Sequence, residues 1–133
     1  MAFMHWSKEF ELGVPEMDKQ HQKWLEILNN FYDHISKYGD FNEEMKTLLN
    51  EAYDYTNYHF TEEERLMEEL GYPALSEQKM MHNEIKEKIK SFKTKLEKGE
   101  HLLSISLTNE LKSWFKNHIL IEDKKYADRY INR

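Results

Sequence analysis

Cysteine is absent from the 133-residue sequence, and glycine and proline are scarce, with four and two residues. The lack of cysteine excludes disulfide bonds, zinc fingers, thiolate catalysis and cysteine-ligated iron–sulfur clusters. The scarcity of glycine excludes a glycine-rich phosphate-binding loop. No apolar run approaches the roughly 18 residues of a membrane span, and the first residues lack the basic-then-apolar order of a secretory signal. We therefore expect a cytoplasmic protein with no membrane partner.

Positive charge is also in deficit, because 19 basic side chains face 25 acidic ones and the formal net charge is -6. A protein that binds nucleic acid presents a basic surface to the phosphates, so we expect no nucleic-acid partner. Hydrophobic residues make up 39% of the chain, and the mean hydropathy is -0.91. This composition is typical of one helical domain with a polar exterior, which we predict to span residues 1–133.

The four glycines divide the chain into an N-terminal arm and four long segments. Within each segment, core-type residues recur at steps of three and four, which keep side chains on one face of a helix. The first segment has Met17, His21, Trp24, Leu28, Phe31, Ile35 and Tyr38, and the second has Met45, Leu48, Ala52, Tyr55, His59, Glu63, Leu66 and Leu70. The pattern predicts an all-α protein, an up-down-up-down antiparallel four-helix bundle over about residues 15–133 with an extended N-terminal arm over about residues 1–14.

Six polar side chains occupy core-facing positions where leucine is usual: His21, His59, Glu63, Gln78, His82 and His118. A single buried histidine is most often a core residue bonded to a backbone carbonyl. Six polar residues on four inward faces are different, because burying an unpaired imidazole or carboxylate costs several kcal/mol. A metal ion neutralises such a cluster, and we favour metal binding over a purely structural polar network.

The types of candidate ligand narrow the choice of metal. His59 and Glu63 lie one helical turn apart, so both can reach the same centre. Nitrogen and carboxylate oxygen donors suit iron, manganese, copper or zinc, and they disfavour calcium and magnesium. Four histidines and two carboxylates, the second being Asp123, favour two metal ions over a single tetrahedral zinc.

The spacing of His118 and Asp123 poses a geometric problem. The two residues are five positions apart, which is roughly 140° around a straight helix. Both reach one site only if the chain departs from the ideal helix between them. Taken alone, this spacing favours a surface position for Asp123.

Four sequence elements follow one another in order. They are Asp18-Lys19-Gln20-His21, His59-Phe60-Thr61-Glu62-Glu63, His82 after Gly71-Tyr72-Pro73, and Trp114-Phe115-Lys116-Asn117-His118-Ile119-Leu120-Ile121-Glu122-Asp123. Together with the helical period beneath them, they resemble the hemerythrin family over essentially the whole chain. The resemblance is to its prokaryotic single-domain members, the bacteriohemerythrins.

The resemblance implies a non-haem di-iron site that binds dioxygen reversibly, for storage, delivery or buffering, and holds it as a hydroperoxide on the open iron. It implies that Glu63 and Asp123 bridge the two iron ions together with an oxo or hydroxo group. Family members use a histidine and an aspartate at the separation of His118 and Asp123, with the last helix bent between them. On this resemblance Asp123 belongs to the site, and we favour an oxygen-binding protein over an enzyme.

The resemblance also divides the histidines between the two irons. His21 and His59 would bind the iron that is open to dioxygen, and His82 and His118 would bind the other. The family supplies a third histidine one turn before the counterpart of His82, and this chain has Gln78 there. Gln78 either ligates iron weakly, holds a water in the open position, leaves the iron under-coordinated or satisfies a neighbouring group. An open position would permit an alternative function, a di-iron enzyme that acts on peroxide, dioxygen or nitric oxide.

Large apolar residues flank the candidate ligands and predict a water-excluding oxygen pocket. The predicted pocket residues are Trp24, Phe60, Trp114, Phe115 and Ile119. Plain core packing accounts for the same residues, and both roles can hold together.

The remaining polar residues receive secondary roles. Asp18 and Tyr126 are candidate partners that orient the ligands, although a helix cap and a packed aromatic residue are the simpler alternatives. We interpret the other three histidines, His5, His34 and His101, as surface residues. The chain ends ten residues after Asp123 without a signalling domain, so we expect a carrier or oxygen buffer rather than a sensor. We expect a monomer whose partners are dioxygen and an unidentified redox or oxygen-accepting protein.

Overall fold

The computed structural model describes residues 4–38, 43–98 and 103–133. Over these ranges the chain forms helices and no strands, so the all-α prediction is confirmed. The long helices are α1 (Pro15–Tyr38), α2 (Glu43–Glu69), α3 (Leu75–Glu97) and α4 (Leu103–Asn117), and a short α5 (Lys124–Ile131) follows a π-helical segment (His118–Asp123). None of the helices in the described ranges is long and apolar enough to span a membrane.

The helices form the predicted four-helix bundle, in which α4, the π-helical segment and α5 together make the fourth helix. Helix α1 packs against α2 and α4, and α3 also packs against α2 and α4. The Trp24 indole N–H donates to the Thr56 hydroxyl at 3.0 Å, and Gln20 Oε1 lies 2.8 Å from His59 Nδ1. Residue numbers therefore rise along α1 as they fall along α2, which makes these neighbours antiparallel.

Helix α2 buries a broader face than the predicted stripe. Its buried residues are Met45, Leu49, Ala52, Thr56, His59, Phe60, Glu63 and Met67. The predicted positions Leu48, Tyr55, Leu66 and Leu70 are half-buried and pack against the core, whereas the fully buried face also includes Leu49, Thr56 and Met67, which were not predicted. The reason is that α2 packs against both α1 and α3, and its buried face therefore spans two rows of side chains.

The N-terminal arm lies along α1 as a strap. The Met4 backbone N–H donates to Asn29 Oδ1 at 2.9 Å, and the Leu12 N–H donates to Asp18 Oδ1 at 2.8 Å, so the arm and α1 run in opposite directions. One turn of 3-10 helix, Lys8–Phe10, interrupts the predicted extended chain. The strap is held to the core by its buried apolar residues Phe10, Leu12 and Val14.

Two of the four glycines take a backbone conformation that L residues rarely adopt. Gly13 has φ 80° and Gly71 has φ 63°, and the other two glycines lie outside the described residues. Gly13 ends the strap, and Gly71 follows the end of α2, where positive φ is common. A Cβ atom on Gly13 would also lie 3.2 Å from Cδ1 of Ile131, which is tighter than an ordinary contact.

Replacing Gly13 with alanine should lower the free energy of unfolding by roughly 1–2 kcal/mol, because positive φ and the contact with Ile131 both oppose the new methyl group. Gly71→Ala should cost about 1 kcal/mol, and Gly71→Asn should cost less because asparagine tolerates this conformation. Urea unfolding of the metal-free variants measures these differences. Wild-type stability of Gly13→Ala would contradict the predicted strain.

Candidate metal centre

The structure brings the six predicted ligands together inside the bundle. Each of the four bundle helices contributes: His21 from α1, His59 and Glu63 from α2, His82 from α3, and His118 and Asp123 from the π-helical segment. All six are buried, with exposures of 0% except for His118, which is 3% exposed.

Glu63 lies between two pairs of histidines. Its Oε2 is 3.3 Å from Nε2 of both His21 and His59. Its Oε1 is 3.0 Å from Nε2 of His82 and 3.1 Å from Nε2 of His118. These residues form two trios, and within each trio the potential ligand atoms lie within 4.8 Å of one another. The two trios share Glu63, so the carboxylate faces one potential metal position with each oxygen.

Asp123 repeats this arrangement. Its Oδ2 is 3.2 Å from Nε2 of His21, and its Oδ1 is 2.9 Å from Nε2 of His118. One oxygen therefore faces a histidine of each trio. Both carboxylates therefore divide their oxygens between the two trios, and each trio groups ligand atoms that suit a cation.

The π-helical segment explains how His118 and Asp123 share one site. A π-helix closes its hydrogen bonds between residues five apart, so residues at that spacing stack on one face. His118–Asp123 is such a segment and lies between α4 and α5 in the chain. The predicted departure from the ideal helix is confirmed, and the expectation from spacing alone of a surface Asp123 was wrong.

Several buried polar atoms of the centre have no hydrogen-bond partner of acceptable geometry. Among the described residues these include Nδ1 and Nε2 of His21, Nε2 of His59 and both carboxylate oxygens of Asp123. Leaving such atoms unsatisfied in the interior costs free energy. Imidazole nitrogens and carboxylate oxygens are ligands of iron, manganese and zinc. The residues present therefore fit a metal centre.

The buried charges shift the protonation of this metal-free centre. Burial alone lowers the pKa of His21, but Asp123 and Glu63 outweigh it and raise that pKa to about 9. The same carboxylates raise the pKa of His118 to about 10 against the effect of burial. Burial outweighs the attraction of Glu63 at His59 and lowers its pKa. For Glu63, burial raises the pKa, but His59, His118 and His21 hold it well below its usual range.

Three further side chains hold the ligands in orientation. Gln20 Oε1 lies 2.8 Å from Nδ1 of His59, and Glu64 Oε2 lies 2.7 Å from Nδ1 of His82. Each contact leaves the Nε2 atom of the histidine directed at the centre. The Tyr126 hydroxyl donates to Glu63 Oε2 at 2.9 Å.

Tyr126 was predicted from the sequence as such a partner, whereas Gln20 and Glu64 were not. Both missed residues lie one position from a ligand, Gln20 before His21 and Glu64 after Glu63. This adjacency was the available signal, but which of the neighbouring side chains reaches a ligand depends on the facing helix. Asp18, the other predicted partner, instead accepts hydrogen bonds from the backbone of the strap at Leu12 and Gly13.

Aromatic rings line one side of the centre. Phe60 stacks on His82 at a centroid distance of 3.8 Å, and Trp114 stacks on His118 at 4.3 Å. Trp24 lies 5.2 Å from the ring of His59. Of the predicted pocket residues, Trp24, Phe60, Phe115 and Ile119 are buried and Trp114 is half-buried. They form an apolar wall beside the ligands.

Gln78 lies on the buried face of α3, one turn before His82, and is 1% exposed. Neither its Oε1 nor its Nε2 has a hydrogen-bond partner within the described ranges. A buried amide normally satisfies several hydrogen bonds. The side chain is therefore available to a group that the protein itself does not supply.

The prediction of three surface histidines was correct for one and wrong for another. His5 is exposed, and His101 lies outside the described residues. His34 is buried, with 4% exposure, and its Nδ1 lies 3.8 Å from Glu44 Oε2 on α2. It lies off the predicted stripe of α1, but it faces the neighbouring helix, which covers it.

The fold and the site define a class: a four-helix bundle that binds cations through buried histidines and carboxylates. A family model described as the hemerythrin HHE cation binding domain matches residues 12–130. A bacteriohemerythrin of Stenotrophomonas maltophilia is 32% identical over 97% of this chain and 82% of its own length. One of Clostridium acetobutylicum is 31% identical over 92% of this chain and 98% of its own length.

Solved structures of hemerythrin are also similar to this chain in fold. Two crystal structures of hemerythrin point mutants match with a TM-score of 0.87 and identities of 27% and 28%. They cover 97% and 96% of this chain and 98% and 97% of their own. The chain belongs to the hemerythrin family, and its buried histidine and carboxylate clusters support a metal-binding, oxygen-binding protein of the hemerythrin type.

Metal uptake by the metal-free protein should release protons at about pH 7, because the raised pKa values of His21 and His118 keep both imidazoles protonated there. The release should be smaller at about pH 9, where part of this charge is already lost. Calorimetric titration with Zn(II) in buffers of different ionisation enthalpy measures the protons released. A release that does not fall with rising pH would contradict the prediction.

Proposed function

We propose that this protein binds dioxygen reversibly, for storage, delivery or buffering, at a non-haem di-iron centre inside the bundle. The observation that carries the proposal is the pair of histidine trios that share the buried carboxylate of Glu63. Membership of the hemerythrin family adds iron and dioxygen to this geometry.

In this proposal His21 and His59 hold one iron, and His82 and His118 hold the other. Glu63 bridges the two ions. The support is the division of its carboxylate oxygens, because Oε2 faces the first pair of histidines and Oε1 faces the second.

Asp123 is proposed as the second protein bridge, alongside an oxo or hydroxo group derived from solvent. Its two oxygens lie 3.2 Å and 2.9 Å from His21 and His118, one histidine of each pair. Nitrogen-rich donor sets of this kind suit iron rather than calcium or magnesium.

The bound irons would supply two electrons to dioxygen and take them back when it is released. The protein holds the surrounding groups still while this happens. The Tyr126 hydroxyl donates a hydrogen bond to Glu63 Oε2 and so fixes the carboxylate. Gln20 and Glu64 fix the rings of His59 and His82 through their Nδ1 atoms.

The apolar wall is proposed to form the oxygen pocket and to exclude water. Trp24, Phe60 and Phe115 are almost fully buried, with exposures of 1%, 0% and 0%. A dry pocket supplies no protons from solvent, and proton supply is what converts reversible binding into irreversible oxidation. Trp114 of α4 joins the same wall, because its ring lies 5.9 Å from that of Trp24 and 5.4 Å from that of Phe60, and Ile119 is buried next to His118 in the sequence.

Iron counting and spectroscopy test the proposal. Protein reconstituted anaerobically with Fe(II) should hold two irons per chain, develop a visible absorption band with dioxygen and lose it under argon. His59→Ala should lower the iron content and abolish the reversible band, because it removes one of the Nε2 atoms that face Glu63. His5→Ala, a change at an exposed histidine, is the control and should behave as wild type.

The proposal is overturned if the wild-type protein holds no iron. It is also overturned if the absorption change does not reverse over repeated cycles. Equal loss of iron in His59→Ala and His5→Ala would remove the histidine cluster from the proposal.

A second candidate function is a di-iron enzyme that acts on peroxide, dioxygen or nitric oxide. The buried and unpartnered amide of Gln78 favours it, because an amide is a weaker metal ligand than imidazole. A weakly filled position beside the His82 and His118 trio gives a small ligand a second point of entry.

Gln78→His should slow the irreversible oxidation of the oxygenated protein, because imidazole would fill this position more firmly. Gln22→His is the matched control, because it makes the same replacement at an exposed position, and this variant should oxidise at the wild-type rate. The decay of the oxygenated absorption band in air measures the rate. An unchanged rate in Gln78→His would remove Gln78 from the mechanism.

The monomeric state, the cytoplasmic location, the single-domain extent and a redox or oxygen-accepting protein partner stay predictions. The preference for a carrier over a sensor is part of the same proposal.

A further inference from the structure

The two outer hydrogen bonds of the centre differ in charge. The neutral amide of Gln20 faces Nδ1 of His59 at 2.8 Å, whereas the carboxylate of Glu64 faces Nδ1 of His82 at 2.7 Å. The two trios are otherwise alike in that each combines two histidines with Glu63. The charged acceptor lies on the trio whose helix carries Gln78.

The amide of Gln20 is itself oriented. Its Nε2 donates to Glu16 Oε1 at 3.2 Å, which leaves Oε1 to face His59. His59 Nδ1 therefore carries the proton in this contact, and its Nε2 is free to bind a metal. The same reasoning gives His82 a proton on Nδ1, because an ionised Glu64 only accepts hydrogen bonds.

The two acceptors have different effects on the imidazoles. A hydrogen bond to an ionised group is shorter and roughly twice as strong as one between neutral groups. A histidine that donates to a carboxylate becomes a more basic metal ligand. His82 should therefore be a stronger electron donor than His59.

We propose that Glu64 is a positioning residue that compensates for the amide at position 78. It holds the Nδ1–H of His82, directs Nε2 at the metal and strengthens that ligand on the trio where Gln78 donates weakly. The inference rests on the proposed di-iron site. It explains how the His82 and His118 trio keeps its metal although Gln78 is a weak ligand.

The chain offers a matched control for charge. Glu62 lies two residues before Glu64 on α2, and its side chain is 23% exposed against 22% for Glu64. Glu62 pairs with Arg65 on the surface of the same helix. Glu62→Gln and Glu64→Gln therefore remove the same charge at the same exposure, and only Glu64→Gln alters the contact with His82.

Titration of the metal-free protein with Co(II), followed by its visible absorption, reads metal binding without oxygen chemistry. The wild-type protein should bind two ions. Glu64→Gln should lower the affinity for the second Co(II) ion by about tenfold or more. Glu62→Gln should keep that affinity within about twofold of wild type. Equal affinities in the two variants would overturn the role of Glu64.

A double-mutant cycle with Gln78→His tests compensation itself. If Glu64 compensates for the amide, then the loss caused by Glu64→Gln should be at least about twofold smaller when position 78 is histidine. The same loss in both backgrounds would overturn the proposal, because Glu64 would then act independently of Gln78.

Nuclear magnetic resonance of the Zn(II)-loaded protein separates donor strength from structure. The Nδ1–H proton of His82 should resonate downfield of that of His59 and move upfield in Glu64→Gln, while the dispersion of the backbone amides stays unchanged. An unshifted His82 proton would contradict the proposal.

The Co(II) titration distinguishes failure of the proposed function from failure of this inference. A wild-type protein that binds no Co(II) would overturn the proposed function as a whole. A wild-type protein that binds two ions, with equal Co(II) affinities in Glu62→Gln and Glu64→Gln, would overturn this inference alone.

Discussion

The buried carboxylate of Glu63 is the constraint on which the rest of the bundle depends. A charged group at 0% exposure is strongly destabilising unless opposite charge or hydrogen bonds surround it. Four imidazoles and the Tyr126 hydroxyl supply that environment, and they come from every helix of the bundle. The helices must therefore meet at one height and in one register. The same arrangement gives each oxygen of Glu63 its own pair of histidines.

The side chains of the polar centre are held in position by the apolar residues that pack around them. Phe60 and Trp114 stack on two of the histidine rings, and Trp24 is anchored by the hydroxyl of Thr56. Aromatic contacts of this kind limit the rotation of the imidazoles and keep water away from them. Packing and chemistry are thus supplied by the same residues, and the strap held by Asp18 closes the bundle beside them.

Gln78 is the residue at which this chain departs from the family pattern that the sequence resembles. Its amide is buried on α3 one turn before His82, and its polar atoms have no hydrogen-bond partners in the described structure. The neighbouring helix places the charged Glu64 on His82, whereas the other trio has the neutral Gln20 on His59. The two trios therefore differ in the charge of the side chain that contacts a ligand histidine from outside, Glu64 at His82 and Gln20 at His59.

Local periodicity was enough to predict the helices, their inward faces and the candidate ligands, because steps of three and four residues are a property of each helix alone. The resemblance added Asp123, which spacing by itself did not favour. Contacts between helices decided the rest. They bury His34, shift the buried face of α2 toward Leu49, and select Gln20 and Glu64 to orient the ligand histidines. The physical reason is that burial and hydrogen bonding depend on which side chains the facing helix presents at the same height in the bundle. The sequence of one helix does not determine how the neighbouring helix is aligned with it.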